Sequence, residues 1–307
     1  MPGRRGCMDL TKVKNNWSFL SLRSKDHFKS ATLLQHHAVQ FIAMAGRYLI
    51  PQKKDDSNTQ MKWYLDKKMV TGEWIDSYTY PLKLGIQLSD LILMLLDPTY
   101  TDIAHCNMQG RTKSEIFDWL KDKLDQMKVE TLPLKMDLHY SIPFHKTEEG
   151  ASFGVENHSE MLELTNLRNN AELVMQTFAM QFENASPVRI WPHHFDTSFT
   201  VPVKWDEKGQ WVKTLTMGLA KPDEWIDYYY FYVNHWSADS SIDYNTITTL
   251  KGNGHWFTGD WIGAVLPLNE LYQDSNTQEQ VNRVCNFLHS AVNNTFDLLL
   301  ASEMKLT

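Results

Sequence analysis

Cysteine is scarce in this chain and is never closely paired. Cys7, Cys106 and Cys285 are the only cysteines among 307 residues, and no C-x-x-C spacing occurs. This excludes the patterns of a zinc knuckle and of a thioredoxin-type redox site. The apolar run at 91–96 covers six residues, whereas a membrane helix needs roughly 20. We therefore expect reduced thiols, a cytoplasmic location and no membrane partner.

An excess of positive charge is also missing. Lysine and arginine number 30 against 37 acidic residues, which gives a net charge of −7. This balance argues against a nucleic-acid partner held by phosphate contacts. The P-loop, G-x-G-x-x-G, G-x-S-x-G and H-E-x-x-H motifs do not occur. The sequence therefore has no motif that indicates P-loop nucleotide chemistry, dinucleotide binding, a nucleophile-elbow hydrolase or a zinc metalloprotease.

Aromatic residues and histidine are plentiful instead. Aromatics make up 12% of the chain, with 11 tryptophans, and histidine occurs 12 times. Tryptophans beside histidine or glycine are typical of an aromatic-lined pocket, although a thick hydrophobic core would need the same residues.

Hydrophobic periodicity predicts four long helices, at 27–49, 112–127, 159–183 and 276–301. Apolar or alternating segments predict strands at 61–64, 69–75, 82–88, 91–96, 134–140, 189–205, 210–219, 228–236 and 256–266. Parallel strands would need crossover connections of about a dozen residues, and most of these connections are shorter. The predicted fold class is therefore α+β, mainly an antiparallel sheet packed by long helices.

The predicted organisation is one folding unit with a short extension. Residues 1–26 are expected to be an N-terminal extension, in part disordered, with Met8 as a second candidate start beside Met1. Residues 27–307 are expected to form a single α+β domain, and the loop at 143–157 is a weak candidate boundary within it.

The string W-P-H-H-F-D at 191–196 is the densest polar and aromatic cluster. If it belongs to a strand, period two places His194 and Asp196 on one face and His193 on the other. A histidine with a carboxylate can form a general base with its orienting group, or two metal ligands. Trp191 is a candidate ligand-binding residue beside them. A solvated polar face with one core histidine is the alternative.

Two further segments carry histidine next to tryptophan. His235 precedes Trp236 in a predicted strand, and His255 precedes Trp256 after a glycine-rich turn. If these strands form one hairpin, both histidines lie at the same end of the sheet, with Cα atoms about 10 Å apart. The two histidines are candidate catalytic residues and the two tryptophans candidate ligand contacts.

The first long helix carries another polar group. His36, His37 and Gln40 are candidate ligand-binding residues, with Gln40 one turn beyond His36. Adjacent residues on a helix point about 100° apart, so at most one of the two histidines is expected to face a given site.

The sequence resembles a family of uncharacterised bacterial proteins, a domain of unknown function marked by the W-P-H-H-F-D string. The resemblance covers roughly residues 30–300 and rests on the segments at 34–40, 55–59, 186–196, 230–233, 254–256 and 261–267. The family has a glycine-rich turn where this chain has K-P-D-E-W at 221–225. The resemblance implies one folding unit and a bacterial cytoplasmic setting, but no activity.

Two functions remain open from the sequence. The first is an enzyme or metal-dependent binder that acts on a small polar molecule through a histidine and aspartate cluster in an aromatic-lined cleft. A divalent metal is then a candidate cofactor. The alternative is a non-catalytic module that binds a small ligand or a protein and whose histidines are structural. The sequence does not decide the metal, the ligand or the oligomeric state.

Overall fold

The structure is a computed structural model that describes residues 9–21, 27–238 and 247–304. It contains two antiparallel sheets, of five and six strands, together with several helices. The predicted α+β class is confirmed. The helices are α1 (Thr11–Asn16), α2 (His27–Leu49), α3 (Lys113–Gln126), α4 (His158–Ala179) and α5 (Thr277–Met304). The strands are β1 (Lys62–Tyr64), β2 (Met69–Ile75), β3 (Leu82–Gln87), β4 (Ile92–Leu96), β5 (Asp102–Asn107), β6 (Arg189–Ile190), β7 (Thr197–Trp205), β8 (Trp211–Ala220), β9 (Tyr230–Ser237), β10 (His255–Thr258) and β11 (Ile262–Pro267).

The chain divides into two compact units. Unit 1 consists of Met1–Arg23, Asn170–Val188 and Asp196–Thr307, and unit 2 of Ser24–Asn169 and Arg189–Phe195. Helix α4 therefore contributes its first part to unit 2 and its second part to unit 1. The single domain expected at 27–307, with its weak boundary near 143–157, stays a prediction.

Unit 2 is built on a meander of five strands in the order β1-β2-β3-β4-β5. The alternation predicted for β3 is confirmed, because Leu82, Leu84 and Ile86 are fully buried on one face. Helix α2 packs against β2 and β3. Gly72 allows this close approach, since a Cβ atom there would lie 2.7 Å from Cγ2 of Ile42.

Unit 1 contains β7 to β11, which lie in the order β10-β11-β9-β8-β7. The face of β8 that carries Lys213 and Leu215 is turned toward α5, because the Lys213 ammonium donates to the Leu299 carbonyl at 2.7 Å. Phe199 and Val201 of β7 lie opposite Met217 and Leu215 on this face. Period two therefore holds in β7 from Thr197 to Pro202, and the register with β8 shifts beyond that point.

The helices begin and end close to the predicted positions. Thr112 and Glu115 form the expected capping box at the start of α3, with each side chain bonded to the backbone N–H of the other residue. Residues 9–21, predicted as part of an extension, contain α1 and bury Trp17, whose indole N–H donates to Gln280 at 3.2 Å. The remaining residues of that extension, 1–8 and 22–26, including Cys7 and Met8, lie outside the described residues.

Outside the segment 189–205, two strand predictions are wrong and one strand was not predicted. The segment 134–140 forms no strand, and the predicted strand at 256–266 is a hairpin of β10 and β11. Strand β5 was not expected, because its sequence D-I-A-H-C-N contains a single β-branched residue. It is held by antiparallel pairing with β4.

Two thiols are described, and both are free and buried. Burial raises the pKa of Cys106 and raises that of Cys285 to about 12, so both stay protonated at neutral pH. Among the described residues, no helix is long and apolar enough to cross a membrane.

Candidate functional site

The W-P-H-H-F string at 191–195 forms a turn in unit 2, which we call the histidine turn. Residues 192–194 are in turn conformation, and the backbone N–H of Phe195 donates to the Trp191 carbonyl at 2.6 Å. Strand β7 begins only at Thr197. The strand expected to start at 189 is therefore wrong at this point. Period two does not place His194 and Asp196 on one face, because the residues between β6 and β7 are not extended.

Helix α2 holds the histidine turn through one carbonyl group. The Pro192 carbonyl lies 2.8 Å from Nε2 of His36 and accepts from the amide of Gln40 at 3.0 Å. The other end of the Gln40 amide accepts from the Tyr140 hydroxyl at 2.8 Å. His36 and Gln40 are both buried. The i, i+4 spacing of His36 and Gln40 thus serves to fix a distant turn.

Phe195 closes the histidine turn in a strained conformation. Its φ is +57°, in the left-handed region that aromatic residues rarely adopt. Its fully buried ring stacks on His36 at 5.0 Å between centroids, and the Arg168 guanidinium lies 3.5 Å from the ring centroid. Arg168 also donates to the Phe195 carbonyl at 3.0 Å. Backbone strain of this kind persists where surrounding contacts over-determine it, and it clusters at functional sites.

The histidine turn presents two imidazoles. The rings of His193 and His194 lie 4.3 Å apart, with His193 half-buried and His194 exposed. Tyr140 and Trp191 flank His193 at 5.6 and 5.9 Å between centroids. The turn thus places two imidazoles side by side, and one of them is exposed.

His37 belongs to a different group of side chains from His36. Its ring nitrogens lie 3.0 Å from a Glu148 carboxylate oxygen and 2.9 Å from the Pro143 carbonyl. Lys113 binds the same Glu148 oxygen at 2.7 Å. Burial and the adjacent His37 lower the pKa of His145, whose ring lies 5.3 Å away. His36 and His37 thus contact different groups of side chains, as the angle of about 100° between them predicts.

Asp196 lies in unit 1, and its carboxylate is only half satisfied. One oxygen, Oδ2, accepts from the Tyr232 hydroxyl at 2.9 Å. The other, Oδ1, is buried and accepts no hydrogen bond from any described residue. Burial, reinforced by the Asp196 charge, raises the pKa of Tyr232 well above its usual range. The tyrosine therefore stays a donor, and one carboxylate oxygen is left without a donor among the described residues.

A second tyrosine–carboxylate pair lies beside the first. The Tyr230 hydroxyl donates to Oδ2 of Asp223 at 2.6 Å, and the Tyr230 and Tyr232 rings lie 6.2 Å apart. Lys221 is half-buried, and burial lowers the pKa of its ammonium, although Asp223 and Asp196 oppose that shift. We call these five residues, Asp196, Lys221, Asp223, Tyr230 and Tyr232, the tyrosine–aspartate cluster.

The sheet provides space for this cluster through a glycine. Gly218 of β8 lies directly opposite Tyr232 of β9. A Cβ atom at Gly218 would lie 2.7 Å from the Tyr232 hydroxyl and 2.6 Å from the Thr197 carbonyl. No other residue type fits there without displacing the tyrosine that binds Asp196.

An aromatic group borders the cluster. The indole of Trp261 stacks on Tyr230 at 6.4 Å and lies 4.9 Å from the Phe257 ring. Trp225 lies 6.4 Å from Phe257, and its indole N–H donates to Asp260 at 2.9 Å. Trp261 and Phe257 are both half-buried, so their rings keep exposed surface beside the carboxylates.

The shared site expected for His235 and His255 is wrong. Among the strands that the structure describes, β10 pairs with β11 alone, and β11 lies between β10 and β9. His235 is opposite Leu215 on the α5 side, whereas His255 is opposite Val265, which is itself opposite Tyr232 on the other side. Strand spacings place the two Cα atoms ~14 Å apart, on opposite faces. Burial lowers the pKa of His235.

Trp236 and Trp256 are likewise separated. Trp236 is 52% exposed and lies opposite Thr214, on the sheet face of Tyr232. Trp256 is opposite Ala264, on the α5 side, and its indole N–H donates to the Thr248 carbonyl at 2.9 Å. These two tryptophans do not share a sheet face.

The tyrosine–aspartate cluster is the part that sequence reasoning missed. Of its members, only Asp196 was a candidate residue. The signal was present in the Y-Y-Y-F-Y string at 228–232, where alternation puts Tyr230 and Tyr232 on one strand face. The positions of Lys221 and Asp223 could not be read in this way, because both precede the strand.

Metal binding has no ready set of ligands in the part of the chain that the structure describes. No group of three or more His, Cys, Asp or Glu side chains there is arranged to hold a metal ion. The divalent metal that the histidines suggested thus finds no first coordination sphere among these residues.

In comparisons with protein families, with curated proteins and with solved structures, the chain matches none of them.

Proposed function

We propose that the protein binds a small polar molecule at the tyrosine–aspartate cluster of unit 1 and exchanges a proton with it. The observation that carries this proposal is the buried oxygen Oδ1 of Asp196, which has no donor among the described residues. An unsatisfied buried acceptor costs about 1–3 kcal/mol. A hydroxyl or ammonium group of a ligand would recover that free energy.

The cluster offers both a proton acceptor and a proton donor. Asp196 can take a proton through its open oxygen. Lys221 can donate one, because burial lowers the pKa of its ammonium and so makes it a stronger acid than an ordinary lysine. The raised pKa values of Tyr230 and Tyr232 keep both hydroxyls protonated, so they orient the carboxylates and do not serve as bases.

The charges and rings indicate the class of ligand. Asp196 and Asp223 against one lysine leave the cluster net negative, which favours a neutral or cationic molecule with hydrogen-bond donors. The half-buried rings of Trp261 and Phe257 offer a flat surface on which the apolar face of a sugar or the chain of an amine can pack.

A non-catalytic binding module is the second candidate. It is favoured by the role of His36 and His37, which are buried and hydrogen-bonded within unit 2 as supports. Under this candidate the cluster holds its ligand without changing it. The metal-dependent form of the first candidate has no support from the described residues.

A thermal-shift screen tests the proposal. The panel contains monosaccharides, myo-inositol and aliphatic diamines, and the variants are Asp196→Asn and Tyr232→Phe. Compounds that raise the Tm of the wild type should raise it much less in both variants. The matched controls are Asp297→Asn, exposed on α5, and Tyr228→Phe, half-buried next to the cluster strand, and both should respond like the wild type.

The outcomes separate the candidates. If no compound in the panel raises the Tm, or if Asp196→Asn responds to every compound as the wild type does, the proposal is wrong. Mass spectrometry of each bound compound after incubation then distinguishes catalysis from binding. A compound recovered unchanged supports the non-catalytic module.

A further inference from the structure

Unit 2 contains a lysine whose surroundings are unusual for a charged side chain. Lys83 is the second residue of β3 and is only 2% exposed. Within the described residues its ammonium has no hydrogen bond and no carboxylate within 4.0 Å. A buried lysine is ordinarily paired, because the desolvation of an ammonium is costly.

Aromatic rings surround the Lys83 amine in place of a counter-ion. Nζ lies 4.3 Å from the Trp74 ring centroid and 5.4 Å from that of Tyr100. Tyr64 stacks on Tyr100 at 4.7 Å, and Trp74 meets Tyr100 edge-on at 5.6 Å. The three rings are half-buried, so the cage that they form retains exposed surface through which a small molecule can approach.

The cage is held by its own backbone. Trp74 and Leu96 are the direct cross-strand neighbours of Lys83 on β2 and β4, which fixes the side of the sheet on which the amine lies. Tyr100 has φ +61°, a left-handed conformation closed by its N–H donating to the Asp97 carbonyl at 2.8 Å.

Charged groups around the amine are mainly positive. Lys62 and Arg189 act on Lys83 with like charge, and Glu73 opposes them. Glu73 is itself paired with Lys62 at 3.2 Å, and Arg189 donates to the Gln60 side chain at 3.0 Å. The titratable ring facing the amine is that of Tyr100, on which Tyr64 stacks. The site therefore favours a bound anion.

We propose that Lys83 is a reactive amine that forms a Schiff base with a small carbonyl compound bearing a carboxylate or phosphate group. In this step the neutral amine attacks the carbonyl carbon and forms a C–N bond. The carbonyl π electrons move to oxygen, which leaves as water once two protons have been transferred to it, and a C=N bond results. The cations Lys62 and Arg189, which act electrostatically on the amine, would attract the anionic group, and the aromatic cage would pack on the body of the molecule.

The protonation state of the amine supports the reaction. Burial, with the two neighbouring cations, lowers the pKa of Lys83 to about 8. Roughly a tenth of the amine is then neutral at pH 7, about 300 times the fraction in a lysine of ordinary pKa. Desolvation and a nearby cation are the two means by which lysines are activated as nucleophiles.

Reductive labelling of the full chain tests this inference. The probe is glyoxylate with sodium cyanoborohydride near neutral pH, and peptide mass spectrometry measures the rate at each lysine. Lys83 should react at least about tenfold faster than exposed Lys208. Lys213, equally buried but donating to the Leu299 carbonyl, should not react, which separates activation from burial alone.

Two comparisons test the anion preference and the mechanism. Acetaldehyde lacks the anionic group, so it should label Lys83 with much less preference over Lys208 than glyoxylate does. In the Lys62→Gln variant, the difference in Lys83 labelling rate between glyoxylate and acetaldehyde should become smaller. The Lys83 rate should rise with pH to a midpoint near 8. Labelling of Lys83 no faster than that of Lys208, or a midpoint near the ordinary lysine pKa, would overturn the proposal.

Discussion

Replacing Lys83 with methionine should stabilise the protein at neutral pH. The amine is 2% exposed, and its pKa falls from an ordinary value of 10.5 to about 8 in the folded chain. Charging it at pH 7 therefore works against folding. Methionine has a similar length, carries no charge and packs well against aromatic rings such as Trp74 and Tyr100. The substitution removes the buried charge and leaves the cage filled.

The magnitude follows from the difference between the folded and unfolded pKa values. At pH 7 a lowering from 10.5 to about 8 costs about 3 kcal/mol of folding free energy. The variant also loses the interaction of the ammonium with two aromatic rings. This loss offsets about 0.5–2 kcal/mol of the stability gained by removing the charge. Lys83→Met should thus be more stable than the wild type by about 1–3 kcal/mol at pH 7.

The sign of the pH dependence is fixed by the direction of the shift. Between about pH 8 and pH 10.5 the unfolded chain binds more protons at Lys83 than the folded chain does, so stability rises with pH. The free energy of unfolding of the wild type, relative to that of the variant, should rise by about 2 kcal/mol between about pH 7 and pH 9.5. Above about pH 11 the Lys83 amine is neutral in both the folded and the unfolded chain, and the stability difference approaches a constant.

Urea unfolding of both proteins at several pH values measures this difference. The comparison requires equal m-values, so that a change in midpoint reports stability. Lys208→Met, at an exposed lysine in the β7–β8 turn, is the control and should show a difference that does not change with pH. The reasoning is refuted if Lys83→Met is less stable than the wild type at pH 7. It is also refuted if the stability difference between the two proteins does not change with pH.

Two further substitutions test the supports of the candidate sites. Gln40→Leu removes the acceptor of the Tyr140 hydroxyl and one donor to the Pro192 carbonyl. It should lower the free energy of unfolding in urea by about 2–4 kcal/mol. A decrease below about 0.5 kcal/mol would mean that the histidine turn does not depend on α2. Gly218→Ala should cost about 1–3 kcal/mol and displace Tyr232, which near-ultraviolet circular dichroism would detect, because its Cβ atom would lie 2.7 Å from the hydroxyl. An unchanged spectrum with unchanged stability would contradict the close packing at this position.

The elements that local sequence determines were predicted well. The capping box of Thr112 and Glu115 and the alternation of Leu82, Leu84 and Ile86 both depend on residues within a few positions of one another. Helix and strand periods encode such features directly. The same applies to β7, where Phe199 and Val201 face the core as alternation requires.

The histidine turn was mispredicted because its conformation is fixed from a distance. Phe195 takes a left-handed φ of +57° only because His36, Arg168 and the Pro192 carbonyl contacts enclose it, and these partners come from remote parts of the chain. Its residue type favours an extended strand. Local propensity therefore pointed to the wrong state at a position where tertiary contacts decide.

Strand order was the other quantity that sequence adjacency could not supply. The hairpin argument assumed one strand at 256–266, and the tight turn around Gly259 makes two of it. That one extra strand moves His255 a full strand away from β9 and onto the opposite face from His235. The prediction of a shared site was wrong because this one turn was not predicted. An added strand changes which strand each later segment pairs with.

The two candidate places differ in how their polar groups are satisfied, and this difference ranks them. In the histidine turn, the Pro192 carbonyl has two donors and the Gln40 amide is used at both ends, so the buried polar groups that hold the turn serve the protein itself. In the tyrosine–aspartate cluster, one carboxylate oxygen of Asp196 is buried and accepts nothing from the described residues. Folding tolerates an open buried acceptor only at a cost, and a ligand that donates to it removes that cost. Ligand searches should therefore begin with donors suited to Asp196, and the imidazoles of the histidine turn should be tested second.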